Sequence, residues 1–238
     1  IPIVVQAVNA VNKTKFARGV MENMLGVDKD AWLPELATRK FRSGAAESPA
    51  FPVKDGAKTP GKVAIYSTCY INYNEPGIGH DLLKVLAHNE VPYVLVEKEK
   101  CCGMPKLELG DLDSVNASKE ANIPVLAKYA KDGFAILSAV PSCTLMFKQE
   151  LPLMYPDDAD VQAVKEAMWD PFEYLMQRKR DGLLKTAFPQ PLGKISYQIP
   201  CHGRVQNIGK KTEEMLKMVP QTWVQTNERC SGHAGTYG

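Results

Sequence analysis

Six cysteines, Cys69, Cys101, Cys102, Cys143, Cys201 and Cys230, are the residues of this 238-residue sequence best equipped for chemistry. Two are neighbours in "VEKEKCCGMPKLELGD", and adjacent cysteines rarely bond to each other because the vicinal ring is strained. A disulfide scaffold is shorter and denser in cysteine, so a reducing compartment is expected. Clustered thiols in that setting bind metal or do redox chemistry, and thiolates suit zinc and iron–sulfur clusters alike. The bland alternative is six inert buried thiols.

The elements that must position these cysteines are short apolar runs. "KVAIYSTC" (62–69), "VPYVLVEK" (91–98), "GFAILSAVPSC" (133–143), "KISYQIPC" (194–201) and "TWVQTNERC" (222–230) read as strands that end at or lead into a cysteine. Helical patterns lie between them. One covers 77–90, with Ile78, Leu82, Val85 and Leu86 on one face, and a longer one covers 113–131, with Val115, Ala121, Val125, Leu126 and Tyr129 inward. Another runs over 158–182, where Pro171 starts a new segment or kinks the old one, and a last one is "IGKKTEEMLKMV". Strands alternating with helices predict an α/β fold with mainly parallel sheets. Such sheets gather functional groups at the carboxyl ends of their strands, which brings Cys69, Cys101, Cys102 and Cys143 towards one rim. Gly103 would let the backbone approach a bulky group there.

The sequence also repeats itself. "KVAIYSTC" lies over "KISYQIPC", "IGHDLLKVL" over "IGKKTEEML", and "KEKCCG" over "NERCSG", with 31 residues between Cys69 and Cys101 and 28 between Cys201 and Cys230. Matching order, element type and terminal chemistry predict two similar lobes, the second carrying Ser231 where the first has Cys102. The expected organisation is a helical connecting segment over 1–42, with Phe16, Val20, Met24 and Leu25 on one face, and a linker over 43–61. The first lobe then covers 62–150, a helical connection 151–193, and a truncated second lobe 194–238. Neither end reads as a natural terminus, so the chain reads as a fragment.

Composition excludes several classes. Lysine plus arginine number 29 against 27 acidic residues, too small an excess for an obligatory nucleic-acid or anionic-membrane partner. The opening apolar run is far shorter than the ~20 residues a membrane span requires. It also lacks the basic flank of a signal peptide. No G-x-G-x-x-G or G-x-x-x-x-G-K-[ST] pattern occurs.

The pattern Cys-x31-CCG-x39-Cys at Cys69, Cys101, Cys102 and Cys143, followed by its partial second copy, resembles the cysteine-rich CCG-domain iron–sulfur proteins. That family includes the B subunit of heterodisulfide reductase, the iron–sulfur subunits of glycolate and lactate oxidation systems, and the C subunit of anaerobic glycerol-3-phosphate dehydrogenases. "VPSCTLMFKQELP", "CSGHAGTYG" and "MLGVDKDAWLPELATRKF" are most similar to the last group. The resemblance implies a cytoplasmic electron-transfer subunit, peripheral at the inner face of the membrane. Its partners would be a flavoprotein dehydrogenase subunit and a membrane or quinone-linked acceptor, and its cofactor an iron–sulfur cluster of the 4Fe-4S type. Cys69, Cys101, Cys102 and Cys143 would be the ligands of the first centre, and Cys201 and Cys230 ligands in the second lobe. Val140 stands where the family's C-x-x-C element has its first cysteine, which leaves four thiolates, enough for a four-iron cluster and one short of a five-cysteine non-cubane centre. The alternatives are thiol–disulfide catalysis at the cluster and a zinc-stabilised structural module. His202 and His233 are candidate nitrogen ligands in the second lobe, where zinc is an option. Lys106 and Arg204 are expected to balance thiolate charge, and His80 and His88 to be solvated.

Overall fold

The computed structural model describes residues 2–229; Cys230, Ser231 and His233 lie outside the described residues. The chain opens with helices α1 (Pro2–Asn12) and α2 (Lys15–Leu25). Thr14 starts α2 by accepting from the Ala17 N–H, and Gly26 ends it in the left-handed conformation at φ 68°. The expected helix therefore stops there, and the stretch that follows folds back onto α2. Arg18 holds it through the carbonyls of Asp28, Lys29 and Ala31. Phe16, Val20, Met24 and Leu25, expected on one face, are all exposed.

A turn of helix, α3 (Phe41–Gly44), precedes an extended stretch that runs to the first sheet. Next come β1 (Val63–Ile65), α4 (Cys69–Tyr73), α5 (Pro76–His88), β2 (Tyr93–Leu95), α6 (Met104–Glu108), α7 (Leu112–Lys131), β3 (Ala135–Leu137) and α8 (Pro141–Leu145). A π-helical turn (Met146–Glu150) leads into α9 (Leu151–Met154), α10 (Ala159–Ala167), β4 (Met168–Trp169) and α11 (Pro171–Arg180). The four strands are all parallel, in the order β2-β1-β3-β4.

Alternation along the strands divides the core. Ala64, Tyr66 and Ile136 face a layer built from α7, α8, the π-turn and α10, whereas Val63, Ile65, Ala135 and Leu137 face α5 and α11. Both faces of this parallel sheet are thus covered by helices, which is why its strands read as unbroken apolar runs. Residues 151–193, expected as a helical connection, do contain α10 and α11. They also contribute β4 to the first sheet, and Pro171 opens α11 after Asp170 caps it by accepting from Phe172 and Glu173.

The second sheet pairs β5 (Gly193–Gln198) with β6 (Thr222–Asn227) in parallel, with α12 (Cys201–Arg204) and α13 (Lys211–Leu216) between them. Its register is offset by two residues from the first lobe's: Val63 pairs with Tyr93, whereas the matching Ile195 pairs with Val224, which the repeat sets over Leu95. In both lobes a short helix begins at the cysteine itself, α4 at Cys69 and α12 at Cys201.

Candidate metal centre

Strand order β2-β1-β3 sends the chain from β1 to one side and then back past it, so the sheet has its switch point between β1 and β3. Ligands of open α/β sheets bind outside the strand ends at such a point. Cys69 follows β1, Cys101 and Cys102 follow β2, and Cys143 follows β3, so three separate crossings deliver four thiols to one rim. None of them sits on the strand itself. Cys69 opens α4, Cys101 and Cys102 lie in the loop before α6, and Cys143 lies in the first turns of α8.

Polar side chains set the shape of each loop. Thr68 holds φ 67° and caps α4 by accepting from the Ile71 N–H at 3.2 Å. The Ser67 N–H donates to Glu99 at 2.7 Å, and Arg42 of α3 donates to Ser67 Oγ at 3.1 Å while lying 3.5 Å from Glu99. The loops after β1 and β2 are thereby tied together. Burial raises the Glu99 carboxyl pKa, against the opposing pull of the Ser67 N–H and Arg42. Asn122, buried within α7, accepts from the Lys100 N–H at 2.9 Å and donates to the Cys101 carbonyl at 3.0 Å. It clamps the peptide leading into the cysteine pair. Gly103 then turns the chain at φ 95° into α6; a Cβ there would stand 3.2 Å from Ser118 Cβ.

The thiols adjoin one another in the order Cys69, Cys101, Cys102, Cys143, each neighbour acting on the next one's ionisation. The thiols of Cys102 and Cys69 pull the pKa of Cys101 down. Those of Cys69 and Cys102 are pushed up by Cys101 and by burial. The backbone at Tyr70, Gly103 and Met104 acts in the opposite direction to burial, lowering the pKa of Cys69, Cys101 and Cys102 respectively. Lys106 adds a cation near Cys101, as its sequence position suggested. Cys69 and Cys101 are exposed, whereas Cys102 and Cys143 are buried, at 3% and 4%. Tyr66 walls the inner side, stacked edge-on against Phe147 at 5.1 Å with its hydroxyl bonded to the Lys100 carbonyl. Burial raises its phenol pKa first, and the Cys102 and Cys143 sulfurs add to the effect.

Four soft thiol donors at one rim fit an iron–sulfur cluster. Among the described residues, no three His, Cys, Asp or Glu side chains form a compact single-ion site. Val140, three residues before Cys143, packs against both core layers.

Cys201 is an exposed free thiol opening α12, and Cys230 and His233 lie outside the described residues. His202 is turned towards the first lobe: its Nδ1 is 2.7 Å from Ser142 Oγ and its Nε2 faces Glu108 at 3.5 Å. Both ring nitrogens are occupied, so the expectation of His202 as a ligand is not met. Arg204 donates to the Glu228 carbonyl at 3.1 Å. His88 is exposed as expected, whereas His80 packs edge-on against Phe41 at 5.2 Å. Sequence reading missed Tyr66, Glu99, Asn122, Ser142 and Glu108. Only Asn122 carries a local signal, an amide on the buried face of a helix.

Residues 63–148 match the family described as CCG, cysteine-rich domain. Over 237 residues the chain is 28% identical to the C subunit of the anaerobic glycerol-3-phosphate dehydrogenase of Escherichia coli strain K12, covering 97% of this chain and 57% of that protein. It is 28% identical over 177 residues to an uncharacterized iron-sulfur protein of Methanocaldococcus jannaschii, covering 73% of this chain and 32% of that one. To lactate utilization protein A of Bacillus pumilus it is 25% identical over 185 residues, 74% of each chain. The chain thus spans little more than half the length of the first of these relatives. No solved structure matches.

Proposed function

Starting from a cysteine-rich CCG domain over residues 63–148, we propose that this chain is an iron–sulfur electron-transfer component of a multi-component oxidoreductase. Cys69, Cys101, Cys102 and Cys143 would hold a 4Fe-4S cluster, with Cys201 and Cys230 as ligands in the second lobe. The observation that carries this reading is the convergence of four free thiols at the switch point of a parallel sheet. When bound, such a cluster takes up and releases electrons one at a time.

The protein's own part is positional and electrostatic. The thiols anchor the group at three strand ends. The backbone at Tyr70, Gly103 and Met104 and the Lys106 ammonium favour thiolate charge, while Tyr66 and Phe147 keep water from the inner side. Exposed Cys69 and Cys101 leave the outer side within reach of a partner. Electrons would arrive from a flavoprotein dehydrogenase acting on glycerol 3-phosphate or a 2-hydroxy acid and leave towards quinone, with the complex at the inner face of the membrane. No helix among the described residues is long and apolar enough to cross a membrane, so this chain would reach the quinone through a partner.

Anaerobic reconstitution with iron and sulfide, followed by EPR of oxidised and reduced samples, tests the reading. The expected result is a brown protein with a signal that Cys102→Ser abolishes or alters. A colourless protein carrying stoichiometric zinc and giving no EPR signal would sink it.

A further inference from the structure

The second lobe does not merely sit beside the first; it grips the segments that present the thiols. Helix α12, which opens at Cys201, rests on α8, which carries Cys143. The His202 ring reaches two first-lobe elements at once. Its Nδ1 is 2.7 Å from the hydroxyl of Ser142, the residue just before Cys143. Its Nε2 faces the carboxylate of Glu108 at 3.5 Å, at the end of the short helix that Gly103 starts directly after Cys101 and Cys102. Gln206, one turn further on and 5% exposed, donates to the carbonyls of Pro141 at 3.2 Å and His202 at 2.9 Å.

A ring held on both sides has one orientation. With its proton on Nε2, towards Glu108, the imidazole accepts from the Ser142 O–H, and neither nitrogen is left for a metal. The Ser142 peptide and α6 are the two pieces of backbone that fix Cys143 on one flank of the row and the cysteine pair on the other. Residues that orient a ligand's own backbone set the geometry and hydrogen bonding of the ligand sulfur, and through them the properties of the bound group.

We infer that His202 is a positioning residue for the first-lobe centre: by bridging Ser142 and Glu108 it makes the arrangement of the Cys101–Cys102–Cys143 thiols depend on how the second lobe is docked. The inference rests on the reading of the row as an iron–sulfur site. The ring contacts through which His202 acts on the row are those with Ser142 and Glu108.

The test compares wild type, His202→Ala, His202→Gln and Ser142→Ala in the full chain, each reconstituted anaerobically. His202→Ala and Ser142→Ala are expected to keep their iron content but shift the EPR line and the midpoint potential in the same direction. The double variant should shift them no further than either single one, and His202→Gln, which can still bond Ser142, should recover part of the wild-type signal. A wild-type potential and spectrum in His202→Ala, at wild-type iron content, would overturn the inference while leaving the electron-transfer reading intact. A metal-free arm separates the two failures. Iodoacetamide labelling of apo-protein, mapped by mass spectrometry, should change several-fold in rate at Cys101 in His202→Ala. If wild type takes up no cluster, the electron-transfer reading fails, and the labelling rates alone decide whether His202 positions the row. Unchanged rates would then reject it.

Discussion

Gly103 carries two demands at once: a left-handed turn at φ 95° and a close approach to Ser118 of α7. A side chain here both enters a disfavoured backbone region and crowds Ser118, 3.2 Å from the added Cβ. Gly103→Ala should therefore lower unfolding free energy by about 1–2 kcal/mol, read by chemical denaturation of the metal-free protein. A cost near zero would mean that the turn relaxes into another conformation. The meeting of Cys69, Cys101, Cys102 and Cys143 at one rim was readable from their places at the ends of predicted strands. Tyr66, Glu99 and His202 were not readable in their observed roles. Each acts through a partner distant in the chain, as Tyr66 does with Lys100 and His202 with Glu108 and Ser142.

At the scale of elements, α7 does more than cover the sheet. Its buried Asn122 satisfies the Lys100 N–H and the Cys101 carbonyl, so the helix holds the loop that presents the cysteine pair. Asn122→Ala leaves those backbone groups without their partner and should destabilise the protein by about 1–3 kcal/mol, measured by urea titration. Replacement by Asp, which keeps the acceptor for Lys100 but not the donor to Cys101, should fall between wild type and alanine. Element type and order were largely visible in the sequence, since buried parallel strands and long amphipathic helices carry strong periodic signals. Strand β4 was not, being two residues long and recognisable only by its pairing with Ile136 and Leu137. The inward face of α5 was also misplaced. Leu82, Leu83 and Leu86 are buried, whereas Ile78 and Val85 are partly exposed and line a cavity of about 610 Å³ between α5, α11 and the second lobe.

Across the whole molecule, segments far apart in sequence are cross-tied by charge. Glu90, just after α5, lies between Lys54 of the extended stretch at 3.0 Å and Lys185 beyond α11 at 2.8 Å. The two lysines, Lys185 foremost, lower its carboxyl pKa from 4.5 to about 2. A carboxyl whose pKa is depressed on folding contributes stability in full above its unfolded value and loses it as the pH falls through the folded one. The stability gap between wild type and Glu90→Gln should therefore stay constant above pH 4.5 and close towards pH 2, narrowing with added salt at neutral pH because the tie is exposed. Denaturation midpoints across that pH range check the sign; a gap that widens in acid would refute it. The order of elements in the repeat was readable from the sequence, but the register was not: Val63 pairs with Tyr93 and Ile195 with Val224, two residues further along its strand relative to the repeat. The uneven cover of the thiol row bears on chemical ageing. An oxidant arriving from solvent meets Cys69 and Cys101 before it meets Cys102 and Cys143. Damage to the rim would thus begin at one thiol on each of two strand-end loops and leave the two inner sulfurs as the last intact anchors.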